Sequence, residues 1–315
     1  MRFTISGASA FISILSFVPS ISGHCFIYNT FGNYNPNIKG WGLGYRKDTP
    51  RGYADQLPYQ QDAAVFSNPA VPGNAKEGRE YLNTGCGMNL YYISQWETKY
   101  QPNVFPHATN WVKNENFFKH RYGPVGPYIP IADEIGYLIS NNSLPQATQG
   151  GKISFQTFQI NDDGAGPLQC YLSVKGDATE WTGQLGIPRQ PSSGPYSVNY
   201  GSNQKSWPVE VNLPAEFTCQ GSYNGVNNIC IMKCHNFAAN GPFGGCIAFQ
   251  QMDGPEKSVR PPNRYIYQPP NQYIAPSKPV PKDKGPQVIE EPTYEDVDIN
   301  VDVDGDVQKF RFKRD

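Results

Sequence analysis

His24 offers the least ordinary chemistry in this chain, because of what precedes it. Residues 1–23 carry one basic residue, Arg2, then an apolar stretch over 11–18, a helix-breaking Pro19, and the small residues Ser22 and Gly23. That is the layout of a secretory signal peptide, too short and wrongly flanked for a membrane span. Cleavage after Gly23 predicts a mature, secreted chain that starts at His24 with a free α-amine. Such a histidine can give one metal ion two nitrogens, amine and imidazole, which no internal histidine can do. Cleavage after Ser22 would leave Gly23 in front and remove the arrangement.

The other reactive side chains have plainer readings. His107 and His120 fall in a stretch rich in aromatic residues and asparagine, where they read as solvated loop histidines or as groups folding over to complete a site. Cys230, Cys234 and His235 have a spacing that superficially resembles a zinc cluster. In a secreted chain the cysteines Cys25, Cys86, Cys170, Cys219, Cys230, Cys234 and Cys246 are better read as disulfide partners. Seven is odd, so at least one is free, intermolecular or capped, and spacing leaves the connectivity open. Asp162 and Asp163 precede a glycine, the usual chemistry of a turn; Asp163 is also a candidate metal ligand. Asn141-Asn142-Ser143 is a glycosylation sequon, which predicts a glycan on Asn141 and a surface loop there. No Ser–His–Asp or Cys–His arrangement, no nucleophile elbow and no assignable acid–base carboxylate pair is present.

The elements that must position these residues read as strands. Charged residues are 17% of the chain, whereas 31 glycines, 29 prolines, 20 tyrosines and 17 phenylalanines suit an all-β protein with many turns. Period-2 alternation predicts strands over 168–175, 207–213, 152–160, 229–234 and 246–252. The phase at 152–160 shifts between Phe155 and Phe158, as a bulge or burial on both faces would require, and Pro208 marks an edge strand or a strand start. One helix is predicted over 133–140. Together these predict a disulfide-stabilised β-sandwich over 24–252, with a long insertion at about 88–150. Residues 253–315 carry ten prolines and, from Glu290 to Asp306, eight acidic and no basic residues. That composition buries too little apolar surface to offset the entropy of ordering, so a disordered Pro-rich and acidic tail follows. Net charge is −1 with no basic stripe, which gives no support for a nucleic-acid partner, and no second apolar run reaches transmembrane length.

Several motifs then form a set in order. After Gly23-His24 come Gly40-Trp41-Gly42-Leu43-Gly44-Tyr45, Thr49-Pro50-Arg51, Gln61-Asp62 and Gly85-Cys86-Gly87. Next are Asn161-Asp162-Asp163-Gly164-Ala165-Gly166-Pro167-Leu168-Gln169-Cys170 and Asn240-Gly241-Pro242-Phe243-Gly244-Gly245-Cys246. This set resembles the secreted appressorium-associated virulence-factor family of pathogenic fungi, over about 24–252. The resemblance implies an extracellular protein made during host penetration, with no established catalytic activity.

That family in turn is distantly similar to lytic polysaccharide monooxygenases, copper enzymes built on an immunoglobulin-like β-sandwich. The similarity implies copper as cofactor, with His24 as first ligand and Phe243 as the non-ligating axial aromatic. Where those enzymes place a second histidine before a Gly-Pro, this chain reads Asp162-Asp163-Gly164-Ala165-Gly166-Pro167. A carboxylate ligand from Asp163 would favour holding copper over redox cycling. Three readings follow: a protein that binds at the host surface or to cell-wall polysaccharide and holds copper, a copper-dependent polysaccharide monooxygenase, and a copper scavenger without turnover.

Overall fold

A computed structural model of the chain describes residues 24–49, 60–70, 80–100, 121–162 and 164–253. In chain order the elements are β1 (Cys25–Gly32), β2 (Ala64–Val65), β3 (Ser67–Asn68), β4 (Glu80–Tyr81), α1 (Leu90–Tyr100) and α2 (Ile131–Ser140). They continue with β5 (Gln146–Ala147), β6 (Lys152–Gln159), β7 (Gln169–Ser173), β8 (Lys205–Asn212), β9 (Gly221–Tyr223), β10 (Val226–His235) and β11 (Phe243–Gln251). The signal-peptide region and the Pro-rich tail from 254 onward lie outside the described residues.

Two sheets face each other across a hydrophobic core. One has the order β1-β6-β8, all antiparallel; the other runs β2-β11-β10-β7, with β5 added parallel to β11 and β9 antiparallel to β10. Ile27, Ile153, Phe155, Val209 and Val211 from the first sheet meet Leu172, Met232, Ile247 and Phe249 from the second. The alternation read at 207–213 corresponds to the edge strand β8, where Pro208 removes no interior ladder bond. The phase shift in 152–160 is burial on both faces. Register with β8 runs unbroken from Lys152 to Gln159, with Ile153 and Phe155 facing the central core. Phe158 and Ile160 instead pack outside the sheet with Phe26, Tyr28 and Tyr45. The bulge belongs to β1, between Tyr28 and Phe31.

A third layer covers the outer face of the larger sheet. Ile135 and Leu138 of α2, with Leu43, Phe66, Ile129 and Leu144, pack on Ile229, Ile231 and Ala248. Residues 88–100 and 121–150, within the stretch read as an insertion, thus contribute α1, α2 and β5 to this layer and to the sheet edge. Three disulfides brace the fold, and one of them ties the outer layer to a sheet. Cys170–Cys234 joins directly paired residues of β7 and β10, Cys219–Cys230 closes a short loop, and Cys86–Cys246 pins the segment before α1 onto β11. The all-β, disulfide-tied sandwich expected from the sequence is the fold observed.

Candidate functional site

Antiparallel pairing of β1 with β6 sets Cys25 opposite Gln159, and so carries His24 onto the residues that follow β6. Ile160 N–H donates to the His24 carbonyl at 2.9 Å. The main-chain nitrogen of His24 donates to Asn161 Oδ1 at 2.7 Å, and His24 Nδ1 lies 3.4 Å from Asn161 Nδ2. Both nitrogens that chelation would use therefore converge on one carboxamide. The ring of Phe243, first residue of β11, lies alongside, with its centroid 4.5 Å from that of His24 and the planes tilted by 44°.

The partners of His24 are themselves held. Gln159, fully buried, donates through Nε2 to the carbonyls of Asn161 (3.0 Å) and Asn199 (2.9 Å), and Asn199 N–H donates to the Asp162 carbonyl at 2.6 Å. Asn236, fully buried just after β10, accepts from Phe243 N–H (2.8 Å) and Ala238 N–H (3.2 Å) and donates to the Gly164 carbonyl at 2.8 Å. It thereby joins the end of β10, the start of β11 and the turn after Asp162. Gly244 and Gly245 of the last motif stand inside β11. A Cβ on Gly244 would lie 2.1 Å from the Cys234 carbonyl, so close approach of β10 fixes this position.

The remaining site candidates fall out as follows. Asp163, His107 and His120 lie outside the described residues. Asp162 contributes its carbonyl. Cys25 is the free cysteine; it is buried completely, and burial pushes its thiol up to about 12, which leaves it an inert neutral group. Cys230 and Cys234 are in disulfides, which removes the zinc reading. His235 is a core residue on β10, ringed by Phe66, Tyr81 and Tyr171, with Nδ1 3.0 Å from the Asn236 carbonyl. Burial lowers its pKa, so it stays neutral there. Asn141 caps the C-terminus of α2, its Nδ2 donating to the Tyr137 carbonyl at 2.8 Å.

Among the described residues no group of three or more His, Cys, Asp or Glu side chains could hold a metal. A metal here would take the two His24 nitrogens, with the oxygen of Asn161 as the third donor within reach. Asn161 and Asn236 are the positions that sequence reasoning missed. The signal for Asn161 was its place at the head of the Asp-Asp-Gly motif; that for Asn236 was a buried-type polar residue directly after a strand.

These features define a class, a disulfide-tied two-sheet β protein with a histidine clamped at the head of its first strand. The chain belongs to the Egh16-like virulence factor family, whose sequence profile matches residues 22–244 and so spans His24, Asn161 and Phe243. It is similar to the appressoria-specific virulence factor GAS1 of Pyricularia oryzae, with 27% identity over 232 residues, 74% of this chain and 73% of that protein. It is also similar to the appressoria-specific virulence factor GAS2 of the same fungus, with 34% identity over 123 residues, 38% of this chain and 42% of that protein. No solved structure matches the chain significantly. No helix among the described residues is long and apolar enough to cross a membrane.

Proposed function

We propose that this chain is a virulence-associated fungal protein that acts outside the cell, binding at the host or cell-wall surface, and that it holds copper through His24. Family membership and similarity to appressoria-specific virulence factors support the infection role, and the leader-like residues 1–23 support secretion with His24 exposed. One observation carries the metal reading: the two chelating nitrogens of His24 face one carboxamide, with the ring of Phe243 beside them. Two nitrogens and an oxygen suit Cu(II), which prefers tetragonal nitrogen and oxygen coordination. When bound, copper would supply a one-electron redox centre. The chain's own residues would fix that ion: Asn161 would give its oxygen to the metal in place of its hydrogen bonds to the two His24 nitrogens, and Phe243 would wall one side without donating. With an amide oxygen as third donor, the described set favours holding copper over oxidative turnover.

The test is calorimetric titration of the secreted protein with Cu(II). His24→Ala should weaken binding on the order of 100-fold or more, through loss of one chelating nitrogen. Asn161→Ala should weaken it roughly tenfold, through loss of the third, oxygen donor. Equal affinity in wild type and His24→Ala would refute the metal reading. A deletion strain that infects as well as its parent would refute the infection role.

A further inference from the structure

A second site lies between α1, α2 and the segment 45–49. There a cavity of about 280 Å³ has Arg46, Lys47, Asp48, Gln61, Tyr91 and Tyr137 in its lining. It shares no residue with the His24 cluster. Its floor is anchored from beneath by Glu134, which is only 3% exposed. That carboxylate accepts from Gly44 N–H at 2.8 Å and also pairs with the Arg46 guanidinium and the Tyr92 hydroxyl. Arg46 Nη2 donates to Tyr92 Oη at 2.8 Å, and its guanidinium carbon stands 4.5 Å from the centroid of the Tyr91 ring. These contacts fix the guanidinium in one orientation. Lys47 Nζ is likewise placed, donating to Asn141 Oδ1 at 3.2 Å and lying 5.4 Å from the Tyr137 ring centroid.

The chemistry of this lining selects a ligand class. Arg46 pairs with Glu134, and Lys47 and Asp48 carry opposite charges in the lining, so the described charges sum to zero and favour neither a phosphate nor a nucleic acid. What remains is a set of fixed donors and acceptors beside two tyrosine rings from different helices. Amide, guanidinium and carboxylate edges match vicinal hydroxyls, and aromatic surface matches the C–H face of a pyranose. The volume sits just under the range of about 300–1,000 Å³ for drug-sized ligands, enough for one or two sugar rings.

We propose that this cavity is a subsite for a neutral saccharide. The inference gives a ligand class to the surface-binding half of the proposed function and does not depend on copper. The sugar has two sources of the same chemistry: an external wall oligosaccharide, or a glycan that the sequon would place on Asn141, whose Oδ1 accepts from Lys47 Nζ.

The experiment uses the secreted full-length protein and its Asn141→Gln form, titrated with cellohexaose, chitohexaose and laminarihexaose by ligand-observed NMR at ~1 mM ligand. At least one hexasaccharide should bind. Tyr137→Ala and Tyr91→Ala should each weaken it by about tenfold, Tyr137→Phe should bind as wild type, and His24→Ala should leave binding unchanged. Near-UV circular dichroism checks that each variant is folded. Binding by both forms identifies an external sugar; binding by the Asn141→Gln form alone identifies the chain's own glycan as occupant. No binding by either form, or binding insensitive to both alanine variants, overturns the proposal. A copper failure at His24 with sugar binding intact would refute the metal reading alone.

Discussion

Position 24 carries the account because two donors from one residue meet a single partner, Asn161, at 2.7 and 3.4 Å. Two other buried residues give predictions of a different kind. Cys25 is sealed and its thiol is pushed up to about 12, so the native protein should show no thiol reactive toward an aromatic disulfide reagent at pH 8. Unfolding without reductant should then release one reactive thiol per chain, the other six cysteines being paired. Lys233 sits 2% exposed on β10, its Nζ donating to the Asn83 carbonyl at 3.2 Å and standing 4.4 Å from the Trp181 ring centroid. Burial lowers its pKa from 10.5 to about 8. Between those values the unfolded chain binds the proton and the folded chain does not, so stability rises with pH; below about 8 the penalty is fully present. Lys233→Met should therefore stabilise the protein at pH 7 by on the order of 1 kcal/mol and flatten the rise between pH 8 and 9. Urea titrations of both proteins across that interval check it, and parallel curves would show that burial of this ammonium carries no penalty.

At the scale of elements, the third layer hangs on Glu134 and on one long-range disulfide. Glu134→Ala removes the carboxylate that joins α2 to Arg46, Gly44 and Tyr92, and should cost about 1.5–3 kcal/mol through loss of charge-assisted hydrogen bonds to a guanidinium that is itself 22% exposed. A thermal midpoint within a degree of wild type would contradict this. Replacing Cys86 and Cys246 by serine reopens a sequence separation of 160 residues, against 11 for Cys219 and Cys230. Chain-entropy arguments give losses of roughly 4–5 and 3 kcal/mol, an order that denaturant titration checks. The strands β6, β7, β8, β10 and β11 were legible because each alternates or runs apolar between turn residues. β1 was not, because it is covered on both faces over most of its length and shows no alternation. α1 was read as part of an aromatic loop, since Tyr91, Tyr92 and Trp96 lack a clear apolar stripe. The site was half legible: His24 and Phe243 could be named, but the contact with Asn161 spans 137 residues and follows from strand pairing that no local pattern reveals.

The described residues form a two-sheet sandwich with an added outer layer, and among them lie the two places proposed for chemistry. The first is the His24 cluster at the head of β1; the second is the cavity over Glu134. The family profile covers both, since residues 22–244 contain every side chain named for them. In the proposed function, the infection role and the metal site meet at cleavage after Gly23, because only a chain beginning at His24 offers both nitrogens. The most direct measurement is electron paramagnetic resonance of the secreted protein, whose first residue has been checked by mass, titrated with Cu(II) beside His24→Ala. The account predicts one tetragonal Cu(II) per chain with nitrogen hyperfine structure from His24, absent in the variant. A mature chain starting at His24 that binds no stoichiometric copper, or gives the same spectrum without His24, would contradict it.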